Sequence, residues 1–304
     1  MVAIAGPTGS GKSALALRIA REFEGEIVNC DSVQVYRFFD IGTAKTPPEQ
    51  RQGIPHHLID ILEPGEVFTA GDFARGARGI LREIVCRGHL PVVTGGTGFY
   101  LRALIHGLAP GPQRDEALRA RLAVRERKRP GSLHRLLERF DPATAARIHA
   151  NDLPKTIRAL EICIAARRPA TEVFARGRDA LRGFDVLKIG LFPNRDELYR
   201  RLEARLARMF EEGIIAETAA ILARGVPPGA KPFESIGYQQ ALQVIRGELG
   251  VKQAIFHARV ETRRYAKRQM TWFRRETQIS WLAGFGDEAQ IQRGAIALVE
   301  GARG

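Results

Sequence analysis

Cysteine is scarce in this chain: Cys30, Cys86 and Cys163 are the only three in 304 residues, far apart and with no C-x-x-C pair. That spacing excludes a zinc ribbon and a disulfide framework, so reduced, buried thiols in a cytoplasmic compartment are expected. Long apolar runs are missing as well. No stretch approaches the ~18 uninterrupted apolar residues of a membrane span. The N-terminus enters a strand-like segment directly, with no signal peptide, and a soluble protein with no membrane partner is expected. His56 and His57 are adjacent, but no third ligand lies at a useful spacing; they read as a structural pair beside a strand. Acidic residues are the minority charge, 34 Asp and Glu against 47 Lys and Arg, giving a formal net charge of +13. So large an excess of one sign is tolerated best where the partner is a polyanion.

What is present begins at once. "GPTGSGKS", Gly6, Pro7, Thr8, Gly9, Ser10, Gly11, Lys12 and Ser13, fits the phosphate-loop pattern G-x-x-x-x-G-K-[ST]. It follows the apolar Val2–Ala5 and precedes Leu15, Ile19 and Phe23, spaced as one face of a helix. The glycines let successive N–H groups turn inward, and the new helix adds its positive end. Lys12 contributes a full charge, and the Ser13 hydroxyl is the expected ligand of a Mg²⁺ shared with the phosphate.

To about residue 110, apolar runs alternate with helical patterns. Val2–Ala5, 26–30, 57–61 and Leu90–Thr94 read as strands, and 13–23 and 72–87 as helices, the second opened at Thr69 and closed by Gly88. This alternation predicts an α/β fold: a P-loop NTPase-like parallel sheet with helices on both faces, ligands gathering at the carboxyl ends of the strands. After Pro110-Gly111-Pro112 strand signals vanish until Gly183, and Ser132–Phe140, 142–149 and 155–166 are the clearest helices. Residues 113–183 carry 17 Lys and Arg against 9 Asp and Glu, more than half the net charge. They read as an inserted all-helical domain with a polyanion-facing surface, the core being 1–112 with 184–304. "FDVLKIGLF" from Phe184 returns to the sheet, followed by helices over 195–212, 214–224, 235–247 and 251–277 and a short strand at "ISWL".

Asp31 follows directly on a strand at the rim of the phosphate loop, where a carboxylate can act as a base, hold metal-bound water or cap the next turn. The strand at 90–94 ends in Thr94-Gly95-Gly96-Thr97, not in the acid that an ATP hydrolase uses for Mg²⁺. Phosphate binding is therefore expected and ATP hydrolysis is not. "HARVETRRYAKRQMTWFRRE", from His257, holds seven Lys and Arg with Tyr265, Trp272 and Phe273 among them; Arg259, Arg263 and Lys267 share one helical row. Bases stack on aromatic and guanidinium planes, so the mixture suits RNA.

Taken in order, these residues resemble the tRNA dimethylallyltransferases, also called tRNA isopentenyltransferases. The resemblance rests on "GPTGSGKS", "DSVQVYRFFDIGTAK" from Asp31, "PHHLID" from Pro55, "GGTGFY" from Gly95, "NDLPKTIRALE" from Asn151, "LYRRLEARLARM" from Leu198, "IGYQQ" from Ile236 and "KRQMTWFR" from Lys267. It implies that the phosphate loop holds a leaving group: the allylic carbon of dimethylallyl diphosphate passes to N6 of adenine 37, beside the anticodon. Asp31 would be the base, Thr97 would help hold the reacting groups, and Arg119 and Arg205 would act on diphosphate or tRNA phosphate. Contact with the anticodon stem-loop falls by resemblance to Asp31, Ser32, Val33 and Gln34; to Pro154, Lys155, Thr156, Ile157 and Arg158; to Glu234, Ser235, Ile236, Gly237, Tyr238 and Gln239; and to Lys267, Arg268, Gln269, Met270, Thr271, Trp272, Phe273 and Arg274.

The chain departs from the family pattern at Gln239 and Lys155, where Lys or Arg and Arg respectively are common, and at Phe99, usually a smaller apolar residue. No zinc-finger extension is seen, as in bacterial members, and a monomer is expected. Two related readings share the phosphate loop: a transferase acting on free adenine nucleotides, and a P-loop small-molecule kinase. A non-catalytic RNA-binding module is a third.

Overall fold

The computed structural model describes residues 1–109, 111–175 and 177–303. In chain order the elements are β1 (Val2–Ala5), α1 (Lys12–Glu22), β2 (Gly25–Asn29), β3 (His56–His57), α2 (Ala70–Cys86), β4 (Leu90–Thr94) and α3 (Gly98–His106). Then come α4 (Glu116–Lys128), α5 (Ser132–Phe140), α6 (Pro142–Ala145), α7 (Leu153–Ala166) and α8 (Ala170–Ala175). The chain continues through β5 (Leu187–Leu191), α9 (Arg195–Glu211), α10 (Ile214–Ala223), α11 (Tyr238–Ile245), α12 (Val251–Phe273), β6 (Ile279–Leu282) and α13 (Ala289–Gly301).

The strands form one parallel sheet in the order β3-β2-β4-β1-β5-β6. Every residue of β1 and β2 is buried, as a strand covered on both faces must be. On one face Val2, Ile4, Ile27 and Val92 meet Leu15 and Ile19 of α1 and Ile291, Ala295 and Val299 of α13. Helix α2 begins where the sequence places it. Thr69 Oγ1 accepts from Asp72 N–H while the Asp72 carboxylate accepts from Thr69 N–H, satisfying two donors that the first turn leaves open.

Three expectations need correction. The strand foreseen over 57–61 ends at His57, because Leu58 and Asp60 have φ of 59° and 56° and leave the ladder. Side chains hold the loop instead: Asn29 Nδ2 donates to Leu58 C=O at 2.9 Å and Lys45 Nζ pairs with Asp60 at 2.6 Å. The helix foreseen over 142–149 is a single turn; Arg147 and Ile148 donate three residues back, to Thr144 and Ala145, instead of four. And Cys86, at the end of α2, is exposed, while Cys30 and Cys163 are buried.

Glu26 is 2% exposed at the start of β2. Arg87 reaches it through two bonds of 2.9 and 2.8 Å, and His57 and His89 at 2.6 and 2.7 Å, joining the start of β2 to the end of β3 and to the turn before β4. The Arg87 guanidinium, with the two imidazoles, holds this carboxyl down at about 2 against burial, from an ordinary 4.5. A depressed folded value means that its stabilisation is complete above pH 4.5 and is lost as pH falls toward 2. Glu26→Gln is expected to lower stability at neutral pH by about 1–3 kcal/mol and to flatten the acid limb, measured by urea unfolding at stepped pH.

The chain separates into two compact units, Met1–Leu104 with Arg182–Gly304, and Ile105–Leu181. The second starts eight residues before the 113 that the proline-glycine punctuation suggests; Pro110 itself lies outside the described residues. Its neck is a backbone bond from Leu181 N–H to Ile105 C=O at 2.9 Å, and the Asp179 backbone packs on Gly107. Inside this unit Leu122, Leu133, Leu137, Leu160 and Val173 form the core, and buried Asp141 accepts from Thr144 N–H and Thr171 N–H.

Candidate functional site

A cavity of about 550 Å³ opens at the carboxyl ends of the central strands. Of the phosphate loop, Thr8, Gly9, Gly11, Lys12 and Ser13 line it, whereas Gly6, Pro7 and Ser10 lie behind. Gly11 takes φ 81° immediately before the first residue of α1, a left-handed conformation that costs a side-chain-bearing residue energy. Lys12 Nζ donates to Pro7 C=O at 2.7 Å. Burial and the neighbouring Arg205 push the ammonium down to about 7, with Asp31 opposing them. Arg205, on α9, donates to Thr8 Oγ1 at 2.7 Å and is likewise lowered, first by burial. Two enclosed cations share one nearby carboxylate, so this end of the cavity is short of negative charge. A diphosphate would supply it.

Asp31, which also lines the cavity, follows β2. Its Oδ1 accepts from Val33 N–H at 2.8 Å and Gln34 N–H at 3.3 Å, while Oδ2 makes no hydrogen bond among the described residues. One oxygen is fixed by the backbone and the other is available to a substrate. Thr97 does not line the cavity. Its Oγ1 accepts from Ser32 N–H at 3.1 Å and its N–H donates to Cys30 C=O at 3.2 Å, bracing the turn that carries Asp31.

The segment after Asp40 forms a side wall through Ile41, Thr43 and Lys45. Glu217 accepts from Asp40 N–H, Ile41 N–H and the Tyr238 hydroxyl, and burial pushes its carboxyl up. Tyr238 Oη in turn accepts from Gly42 N–H at 3.1 Å. Lys45 Nζ, buried, is held by Tyr36 C=O and by Asp40 and Asp60.

The residues assigned to tRNA divide by helix face. Pro154, Lys155, Glu234, Gln239, Lys267, Arg268, Thr271 and Arg274 are exposed, and Ser32, Val33, Gln34, Arg158, Ser235, Ile236, Met270 and Trp272 are half-buried. Thr156, Ile157, Gly237, Tyr238, Gln269 and Phe273 are buried. A contiguous run on a helix cannot point one way, so these six support the surface from beneath. Within the helical unit, Arg119 and Arg158 both bind the fully buried Glu161, at 3.2 and 2.6 Å. Phe99 stands exposed on α3. His57 is tied to Glu26, whereas His56, whose Nδ1 meets Ile54 C=O at 2.8 Å, lines the cavity.

Among the cavity-wall residues to which sequence reasoning assigns no role are Arg201, Arg208 and Asp287. Arg201 binds Asp287 at 2.8 Å and lies over the Phe285 ring, and Gly286 N–H donates to Ser10 C=O at 2.9 Å, so the loop after β6 presses on the phosphate loop. A signal for the arginines is present: Arg201, Arg205 and Arg208 run at helical spacing beside the buried stripe Leu198, Leu202, Leu206 and Met209.

The donor set fits Mg²⁺ of the kind held mainly by phosphate. Among the described residues no group of three His, Cys, Asp or Glu side chains could cage a metal. At the rim stand the hydroxyls of Ser13 and Thr94, and Thr94 Oγ1 is buried without a partner. Mg²⁺ keeps several waters and takes one or two protein oxygens beside phosphate.

The model of the family described as IPP transferase matches residues 34–276. A tRNA dimethylallyltransferase of Solibacter usitatus (strain Ellin6076) is 61% identical over 299 residues, 98% of this chain and 97% of that protein. One from Koribacter versatilis (strain Ellin345) is 53% identical over 296 residues, 97% and 96% of the two chains. The crystal structure of the full-length tRNA isopentenylpyrophosphate transferase from Bacillus halodurans aligns with a TM-score of 0.72 at 36% identity, covering 99% of this chain and 97% of that one. A eukaryotic dimethylallyltransferase caught acting on tRNA gives 0.85 at 27% identity, covering 100% of this chain and 79% of that one. With a matching model over most of its length and relatives aligned nearly end to end, the chain belongs to the IPP transferase family.

Proposed function

We propose that this protein transfers the dimethylallyl group of dimethylallyl diphosphate to N6 of adenine 37 beside the anticodon of tRNA. The observation that carries the reading is one cavity lined by Lys12, Arg205 and Asp31, the last with a carboxylate oxygen that accepts no hydrogen bond among the described residues. Relatives aligned nearly end to end are named for this transfer. An adenine amine is a weak nucleophile because its lone pair is shared with the ring. As N6 attacks the allylic carbon, the bond from that carbon to the diphosphate oxygen breaks, and Asp31 accepts the N6 proton. Lys12, Arg205 and the loop amides stabilise the charge growing on the departing pyrophosphate. Mg²⁺, held by Ser13 and the phosphates with Thr94 near, would supply further neutralisation there. The target base has to leave the loop stack to reach the cavity. Strand β4 ends at Thr94, where an ATP hydrolase needs an acid, and this favours prenyl transfer over phosphoryl chemistry.

The direct test incubates the protein with Mg²⁺, dimethylallyl diphosphate and unmodified tRNA and weighs the released nucleosides. A prenylated adenosine is expected from tRNA and none from free AMP; ATP turnover without prenyl product would overturn the reading. The exposed Lys267, Arg268 and Arg274, with the basic helical unit, set a second expectation. Neutralising several phosphates releases counterions, so tRNA affinity should fall about a hundredfold between about 50 and about 200 mM salt, read by filter binding.

A further inference from the structure

We infer that Gln269 is a positioning residue that fixes the phosphate loop against the loop carrying Gly96 and Thr97, setting the gap between leaving group and base. This rests on the prenyl-transfer reading and adds a residue whose action is indirect. Although Gln269 lies within the most basic stretch of α12, it is only 6% exposed. Its Oε1 accepts from Thr8 N–H at 2.8 Å and its Nε2 donates to Gly96 C=O at 2.8 Å. Both ends of the amide are therefore occupied, one by each loop. The Thr8 N–H is committed to Gln269, and the Thr8 hydroxyl to Arg205. Beyond Gly96, Thr97 holds Ser32 N–H, next to Asp31. Hydrogen bonds and two short backbone steps thus link Arg205 and the phosphate loop to the turn that carries Asp31. Gly96 makes room for it: a Cβ there would fall 2.4 Å from Gln269 Nε2, although the backbone conformation would permit alanine. One turn earlier, the Tyr265 hydroxyl lies beside the same amide, and burial, with the Asp31 charge, raises its pKa.

Attack requires the amine and the allylic carbon at near-contact distance, and misplacement by about 1 Å can cost about a hundredfold in rate. Loss of the bridge should therefore act on kcat. Gln269→Met keeps length but not polarity; kcat is expected to fall about 10- to 100-fold with KM for both substrates within about threefold of wild type. In Gln269→Glu only the protonated carboxyl can both accept from Thr8 N–H and donate to Gly96 C=O. Its kcat relative to wild type should thus decline as pH rises, while the ratio for Gln269→Met stays flat. A third arm needs no polar loss: Gly96→Ala alone should lower kcat, and added to Gln269→Ala it should cost little more. Wild-type kcat in Gln269→Met, a pH-independent ratio in Gln269→Glu, or additivity of Gly96→Ala with Gln269→Ala would each overturn the positioning role. Absence of prenyl transfer by the wild-type protein would instead overturn the function on which it rests.

Discussion

Asp31→Asn is expected to lower kcat about 10²- to 10⁴-fold, the span that loss of a general base produces, while KM for tRNA and for prenyl diphosphate changes little. Asparagine is the informative substitution. It retains the oxygen that accepts from Val33 N–H and Gln34 N–H, so the turn keeps its shape, and it removes only the capacity to take a proton. Single-turnover rates with saturating substrates isolate the transfer step. Unimpaired transfer by the asparagine variant would remove Asp31 from the chemistry and leave it a capping residue.

Lys12→Ala should be comparably severe, because it deletes charge at the point where charge develops, a loss of about 10²- to 10³-fold or more in kcat. Its pH behaviour distinguishes this cause from a collapsed loop. With its ammonium pushed down to about 7, Lys12 is charged below that pH and largely neutral above it. A bound diphosphate favours the charged form, so binding above pH 7 must take up a proton. Affinity for the prenyl diphosphate is then expected to weaken from pH 7 to 9, approaching tenfold per unit, and Lys12→Ala should lose that slope. Calorimetry in buffers of differing ionisation enthalpy reads the proton uptake; equal slopes in both proteins would refute it.

Much of the frame is legible in the sequence because it depends on local chemistry. Thr69 and Asp72 announce the start of α2, and the glycine pattern before Leu15 and Ile19 announces the phosphate loop and its helix. Arg205 and Asp31, singled out by the family resemblance, act on the Lys12 ammonium in opposite directions. The remainder depends on long-range approach. Nothing adjacent to Asp287 signals that Arg201 will seize it or that its loop will brace Ser10, and nothing in "DIGTAK" signals that Glu217 and Tyr238 will hold that wall. Composition misleads about α12 in particular. Lys252, Arg264, Lys267 and Arg268 are exposed, but Arg263 is half-buried against Glu203, and Thr262, Ala266, Gln269 and Phe273 form an inward stripe that a count of charges cannot separate. Residues 57–61 look like a strand because Leu58, Ile59 and Ile61 make an apolar run, and the tertiary bonds to Asn29 and Lys45 hold the segment out of the ladder.

The brace between Gly286 and Ser10, and the cover that Ile291, Ala295 and Val299 give Leu15 and Ile19, join opposite ends of the chain. A ribosome therefore releases the first phosphate-loop residues long before their supports exist. Until those late residues emerge, one side of the first helix remains bare and the nascent polypeptide cannot complete its anion cradle. Non-local closure of this kind slows folding and leaves apolar surface for chaperones to shield. Premature termination in the last few turns should accordingly yield a protease-sensitive product and not a weakened catalyst.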